Sequence, residues 1–123
     1  MTTRILIIDD ERDLCHLLKL VLLKERYLVD CAFCLMDAGK KLLRNPQIIF
    51  LDNNLPDGSG LEYFHNHPKE FFNCSVILIT ADGSPSVKMH ALDMGIDIFI
   101  EKPFSVKEIR DIITKICLQK SLH

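Results

Sequence analysis

The sequence predicts an α/β protein: five strands alternating with five helices, (βα)5, folded into an open, doubly wound parallel five-stranded sheet covered on both faces. Two observations predict this. Short apolar runs recur at residues 5–8, 48–51, 76–79 and 98–100, with a weaker one at 27–33. They are near-continuous rather than alternating, the pattern of strands buried on both faces of a parallel sheet. Between them lie longer segments with helical spacing. Size agrees, because a chain of 123 residues with 48% hydrophobic and 26% charged residues has the make-up of one domain with one core.

Each element has its own justification. The first run ends at Asp9 and Asp10, and Leu14, Leu17, Leu18, Val21 and Leu22 then repeat at i, i+3, i+4, i+7 and i+8, one face of a helix. The weak run at 27–33 is the second strand, and the helical segment after it contains Gly39, which lowers its intrinsic helicity. The third run leads to Asp52, and Ser59 with Glu62 has the spacing of a capping box for the third helix. The fourth run leads to Thr80, after which Ser84-Pro85 reads as an N-cap followed by proline in the first turn. The fifth run precedes Lys102, then a second capping-box pair, Ser105 and Glu108, and a helix with Ile109, Ile112, Ile113 and Ile116 on one face. No internal repeat, low-complexity segment or linker composition interrupts the series.

Composition excludes several function classes. Lys and Arg total 15 against 17 Asp and Glu, a formal net charge of −2, without the basic excess that direct nucleic-acid binding normally shows. No apolar stretch approaches the roughly 18 residues of a membrane span, and Asp9 and Asp10 follow the first apolar run too soon for a secretory signal. The five cysteines, Cys15, Cys31, Cys34, Cys74 and Cys117, are an odd number and are expected to be reduced thiols, with a cytoplasmic location. The length leaves no room for a catalytic domain and a separate output domain.

The architecture says where chemistry must lie, since the carboxyl ends of parallel strands share one edge and ligands bind there. Asp9 and Asp10 follow the first run, Asp52 the third, Thr80 the fourth, and Lys102 comes shortly after the fifth. A single Asp at a strand end is most often a cap or a turn residue, but complementary groups at four of five strand ends make a site. Three carboxylates in one cleft repel each other, one lysine does not neutralise them, and a divalent cation does. All-oxygen ligands with open positions suit Mg²⁺. A carboxylate beside Mg²⁺ and a lysine is placed to attack a phosphoryl group and form an acyl phosphate. The metal, Thr80 and Lys102 then bind the three peripheral phosphoryl oxygens, so catalysis is mainly positioning and charge stabilisation.

The stretches Ile5-Leu6-Ile7-Ile8-Asp9-Asp10-Glu11, Leu51-Asp52-Asn53-Asn54-Leu55-Pro56-Asp57-Gly58-Ser59-Gly60-Leu61-Glu62, Ile79-Thr80-Ala81 and Lys102-Pro103-Phe104 together resemble the receiver domain of two-component response regulators, of the chemotaxis-regulator-like kind. The resemblance covers essentially the whole chain. It implies a single receiver domain over residues 1–123 with its core at about 4–118, and a flavodoxin-like sheet of strand order 2-1-3-4-5. It also implies that Asp52 is the phospho-acceptor, charged by a histidine kinase or a phosphotransfer protein. Asp9, Asp10, Asp52 and the backbone carbonyl of Asn54 would hold Mg²⁺, with Mn²⁺ as a substitute. Thr80 and Lys102 would bind the phosphoryl group, and the bond before Pro103 would be cis. Phe99 falls where the family carries a rotating aromatic, often Tyr; without the hydroxyl, a switch there must work through ring packing. The surface of the fourth helix, fifth strand and fifth helix, residues 85–118, would meet an effector, and phosphorylation-dependent homodimerisation is a further implication. Asn54 and Asp82, two positions after Asp52 and Thr80, would tune autodephosphorylation. Such a chain turns over no external substrate; its chemistry is its own phosphorylation and dephosphorylation.

Other motifs carry less. Cys31 and Cys34 form a CxxC without the further ligands of a zinc site. His65 and His67 are a weak pair, and Gly58 and Gly60 are a lone GxG without the rest of a dinucleotide fingerprint. Lys40, Lys41 and Arg44 read as a solvated basic helix face. Two alternative functions remain. A degenerate receiver acting as an interaction module is disfavoured by the full set of site residues. An Asp-nucleophile phosphohydrolase wants a second acid two positions after the nucleophile, where this chain has Asn54.

Overall fold

A computed structural model describes residues 2–121. Its elements are β1 (Arg4–Ile8), α1 (Arg12–Lys24), β2 (Leu28–Ala32), α2 (Leu35–Leu42), β3 (Ile48–Asp52), β4 (Asn54–Leu55), β5 (Gly58–Ser59), α3 (Gly60–Asn66), a 3₁₀ turn (Pro68–Phe71), β6 (Ser75–Thr80), α4 (Pro85–Asp93), β7 (Ile98–Glu101) and α5 (Val106–Ser121). One five-stranded sheet runs β2-β1-β3-β6-β7, and every pair in it is parallel. Counting only these five strands, the order is the expected 2-1-3-4-5. β4 and β5 are two-residue strands that pair antiparallel outside it.

The missing alternation in the apolar runs has a direct cause. Successive side chains of a strand point to opposite faces, and here both faces are covered. Ile5, Ile7, Phe50, Ile77 and Ile79 pack against Cys15, Leu18 and Leu22 of α1 and Ile109, Ile113 and Ile116 of α5. On the other face Leu6, Ile8, Ile49 and Leu51 meet Ala38 and Leu42 of α2 and Phe71. Leu78 meets Leu61 of α3, Ala91 of α4 and Ile96. All five residues of β3 are buried. This central strand therefore carries Asp52 on the most firmly packed part of the molecule.

The helix starts behave unequally. Ser105 and Glu108 form the full reciprocal box: Glu108 N–H donates to Ser105 Oγ (3.1 Å) and Ser105 N–H to Glu108 Oε1 (3.2 Å). At α3 only the forward bond exists, from Glu62 N–H to Ser59 Oγ at 3.2 Å. Ser84 is the N-cap residue of α4, yet its side chain makes no cap bond and lies 3.2 Å from Ser86 Oγ. Of the basic cluster, Lys40 and Arg44 are exposed as expected, whereas Lys41 is half-buried. Lys41 donates to the Cys31 carbonyl and to Asp37, and Arg44 Nη1 pairs with Asp30 at 2.9 Å. Among the described residues no helix is long and apolar enough to cross a membrane.

The α5 face tests this packing. Ile113 is fully buried in the cluster beneath α1 and α5, so Ile113→Ala is expected to cost about 2–5 kcal/mol through lost transfer energy and the cavity left behind. The cost is read as a lower denaturant midpoint at unchanged slope; a midpoint equal to that of the unsubstituted chain refutes the placement.

Candidate functional site

The sheet delivers four site residues to one edge through the lengths of its strands. β1 stops at Ile8, and Asp9 N–H donates to the Ala32 carbonyl of β2 (2.9 Å), so Asp9 leaves the sheet held on its neighbour. β3 ends on Asp52 itself and β6 on Thr80. Lys102 follows β7 directly, and its N–H donates to the Thr80 carbonyl at 2.9 Å. Asp9, Asp52 and Thr80 are buried, with 0%, 2% and 1% of their surfaces exposed, whereas Asp10 is exposed. The Lys102–Pro103 peptide is cis.

One ammonium organises the carboxylates. Lys102 Nζ lies 2.9 Å from Asp52 Oδ2, 2.9 Å from Glu11 Oε1 and 3.2 Å from Asp9 Oδ2. Asp52 Oδ1 accepts the Asn54 N–H (3.0 Å), and Asp9 Oδ1 the Glu11 N–H (2.9 Å). Carboxylate oxygens of Asp9, Asp10 and Asp52 all come within 4.8 Å of one another, the one such group of three among the described residues. Burial, and secondarily the charge of Asp52, push the Asp9 carboxyl above its usual range despite the Glu11 N–H and Lys102. Burial works against the charge on Lys102, but its bonds to Asp52 and Glu11, with the charges of Asp9 and Asp52, raise its pKa above the ordinary lysine value. The site is overcharged with acid.

This arrangement fits a divalent cation. Asp9 Oδ2 is buried and accepts no hydrogen bond, for Lys102, though close, is not aligned with it. A buried carboxylate oxygen without a donor is costly, and a hard cation held by these acids would offset both that cost and the repulsion. The all-oxygen donor set suits Mg²⁺.

Other candidate residues sit apart from this cluster. Thr80 Oγ1 donates to the Asp82 carbonyl (3.0 Å) and accepts the Asp82 N–H (2.9 Å), so its hydroxyl is engaged within its own loop and not with Asp52. Asp82 Oδ1 in turn accepts the Ser84 N–H at 3.0 Å. Phe99 is half-buried and packs against the cluster of Leu61, Leu78, Ala91 and Ile96. Asn54 is exposed and joins the site through its backbone. Cys31 and Cys34 are separate free thiols, one in β2 and one at the N-cap position of α2, where its side chain makes no cap bond.

Three residues of the site escape sequence reasoning. Glu11 completes the Lys102 shell; its place beside two acids was the available signal. Asn53 holds the loop after Asp52, its Oδ1 accepting from Ser59 Oγ (3.0 Å) and Leu61 N–H (3.2 Å). Gly60 lies so near the acceptor strand that a Cβ there would stand 2.2 Å from the Asp52 carbonyl oxygen. Only glycine permits α3 to begin beneath Asp52.

A family model, that of the response regulator receiver domain, matches residues 5–114. The chain belongs to this family. As a receiver domain it superposes on a two-component response regulator from Clostridium difficile with TM-score 0.89 at 27% identity, over 97% of this chain and 98% of the other. A CheY-like receiver domain protein from Methanospirillum hungatei JF-1 gives TM-score 0.85 and 26% identity, each chain being covered over 100%. The beryllofluoride-activated NtrC4 receiver domain, solved as a dimer, is 34% identical with TM-score 0.81, over 91% of this chain and 93% of that one. The receiver is thus a signalling module of two-component systems rather than a classical enzyme.

The acid excess has a measurable cost in this receiver. An acid whose folded pKa is raised loses stability in its ionised form, so at neutral pH the Asp9 charge weakens the fold, and the loss is relieved as pH falls through the raised value. In metal-free, chelator-treated buffer at neutral pH, Asp9→Asn should raise Tm by about 3–6 °C, equivalent to roughly 1 kcal/mol. A lower Tm by calorimetry would refute the repulsion.

Proposed function

We propose that this receiver is a phospho-acceptor switch in which Asp52 takes a phosphoryl group from the phosphohistidine of a histidine kinase or a phosphotransfer protein. The observation that carries the reading is the placing of Asp52: Oδ1 on the Asn54 N–H, Oδ2 on Lys102, and Asp9 and Asp10 within metal-sharing distance. Asp9, Asp10, Asp52 and the Asn54 carbonyl would hold Mg²⁺ (or Mn²⁺), which when bound offsets the negative charge of the incoming phosphoryl oxygens. A carboxylate oxygen of Asp52 attacks phosphorus, the P–N bond to the donor imidazole breaks, and the electron pair leaves with that ring, which takes up a proton. Lys102 then exchanges its bond to Asp52 Oδ2 for one to a phosphoryl oxygen, which in such transfer is the main service a protein supplies.

The switch follows from the same bonds. Thr80 gains a strong acceptor only in the phosphorylated state, and to reach it must abandon the Asp82 backbone. The β6–α4 loop moves with it, and the half-buried Phe99 ring turns into the space released. The surface of α4, β7 and α5, residues 85–118, changes shape and meets an effector or a second receiver. Asn54 and Asp82 flank the line of water attack and set the lifetime of the phosphoryl group. Residues 1–123 act as one receiver unit, core about 4–118, in the cytoplasm.

Incubation with Mg²⁺ and acetyl phosphate, followed by intact mass measurement, tests this. One phosphoryl group should be added, Asp52→Asn should remove the adduct, and chelation of Mg²⁺ should prevent it. Asn54 and Asp82 substitutions should alter the decay rate of the adduct while leaving its formation intact. An unmodified wild-type chain that nevertheless binds Mg²⁺ sinks the proposal.

A further inference from the structure

The helix α2 lacks a cap of its own. It has only eight residues, contains Gly39, and its N-cap residue Cys34 makes no side-chain bond to the first turn. Helices this short are marginal without tertiary support, and the first N–H groups need acceptors. Here the acceptor comes from a distant part of the chain. Asp57 Oδ1 accepts the Leu35 N–H at 2.8 Å, and Asp57 Oδ2 the Met36 N–H at 3.1 Å. An ionised acceptor at a helix N-terminus is favoured by the helix dipole as well as by the bonds. The Leu35 bond, joined by the Met36 bond, holds the Asp57 carboxyl below the usual carboxylate range against the desolvation that opposes it.

Asp57 stands at the tip of the loop that begins at Asp52. Asn54 pairs with Ser59 and Leu55 with Gly58, leaving Pro56 and Asp57 as the two-residue turn. The base of this hairpin is tied by the Asn53 N–H to the Ile79 carbonyl (3.0 Å) and the Gly60 N–H to the Asn53 carbonyl (3.1 Å). Its tip presses on α2: a Cβ at Gly58, whose φ is +150°, would come 3.0 Å from Leu35 Cδ1. Asn54, whose carbonyl the reading above gives to the metal, directly follows the base residue Asn53 and pairs with Ser59 on the strand that leads up to the Asp57 tip.

We propose that Asp57 is a positioning residue for the metal site: by capping α2 in trans it fixes the tip of the hairpin and so sets the orientation of the Asn54 carbonyl. This rests on the receiver-switch reading above for the role of that carbonyl, and extends it to a residue outside the acid cluster. The same cap joins α2 to the acceptor loop through two hydrogen bonds.

The test uses the full chain with Asp57→Ala and Asp57→Asn, read by amide exchange at Leu35 and Met36 and by calorimetric titration with Mg²⁺ alone, well below the Tm of each variant. In Asp57→Ala both amides should exchange about tenfold faster, as for loss of a helix cap. Mg²⁺ should bind about tenfold more weakly, the low end for partners that orient a metal ligand. Asp57→Asn, which keeps one acceptor oxygen, should fall between. Deprotected amides with unchanged Mg²⁺ affinity would reduce Asp57 to a helix cap and overturn the positioning role; amides that stay protected overturn the cap itself. A wild-type chain that takes no Mg²⁺ refutes the receiver-switch reading and this role with it, and is told apart by failing before any substitution is made.

Discussion

A single ammonium set among buried carboxylates is the constraint around which this molecule is arranged. Lys102 Nζ touches Asp52, Glu11 and Asp9 at once, with Asp10 at the rim of the same group. At an effective dielectric of about 20, two unit charges about 4 Å apart interact by roughly 4 kcal/mol, so one lysine cannot balance the set. The imbalance is visible in the raised pKa of Asp9 and in its orphaned oxygen. Such strain persists only where the surrounding scaffold is rigid enough to hold it.

The scaffold supplies that rigidity through burial on both faces. β1 and β3, the strands that bring Asp9 and Asp52, sit inside the sheet and are almost wholly enclosed by four helices. A close-packed interior resists continuous deformation, so the carboxylates cannot drift apart to relieve their repulsion. The surrounding loops are different in kind. The β6–α4 loop is held by a small ring of bonds between Thr80, Asp82 and Ser84, contacts whose individual worth is modest. A rigid acid cluster thus stands beside a loop held by a few local hydrogen bonds.

The site was legible where position along a strand alone determined it. Asp9, Asp10, Asp52, Thr80 and Lys102 could be read because parallel strands end at a common edge, so the residue after each apolar run is placed by topology. Glu11, Asn53 and Asp57 could not, because their roles depend on which distant group each side chain meets: Lys102 for Glu11, the start of α3 for Asn53, the start of α2 for Asp57. Ser84 was read correctly as the N-cap residue before Pro85, but the bond its side chain makes was not legible. It has the residue type and spacing of a cap, but its hydroxyl faces Ser86. Lys41 read as solvent-facing by periodicity and is instead half-buried on the Cys31 carbonyl, whereas Arg44 is exposed as read and pairs with Asp30 at the surface.

The amino-acid sequence by itself determined the strand and helix series, the parallel sheet and the edge at which the chemistry gathers, because hydrophobic periodicity and chain connectivity are local properties that the fold must satisfy. Tertiary structure alone decided the electrostatic state of that edge. Which acid lost its hydrogen bond, which lysine nitrogen faced which oxygen, and whether the Thr80 hydroxyl pointed to Asp52 or to Asp82 all depend on distances of a few ångströms between residues far apart in the chain. Coulomb and hydrogen-bond energies vary steeply over such distances, and no local pattern encodes them.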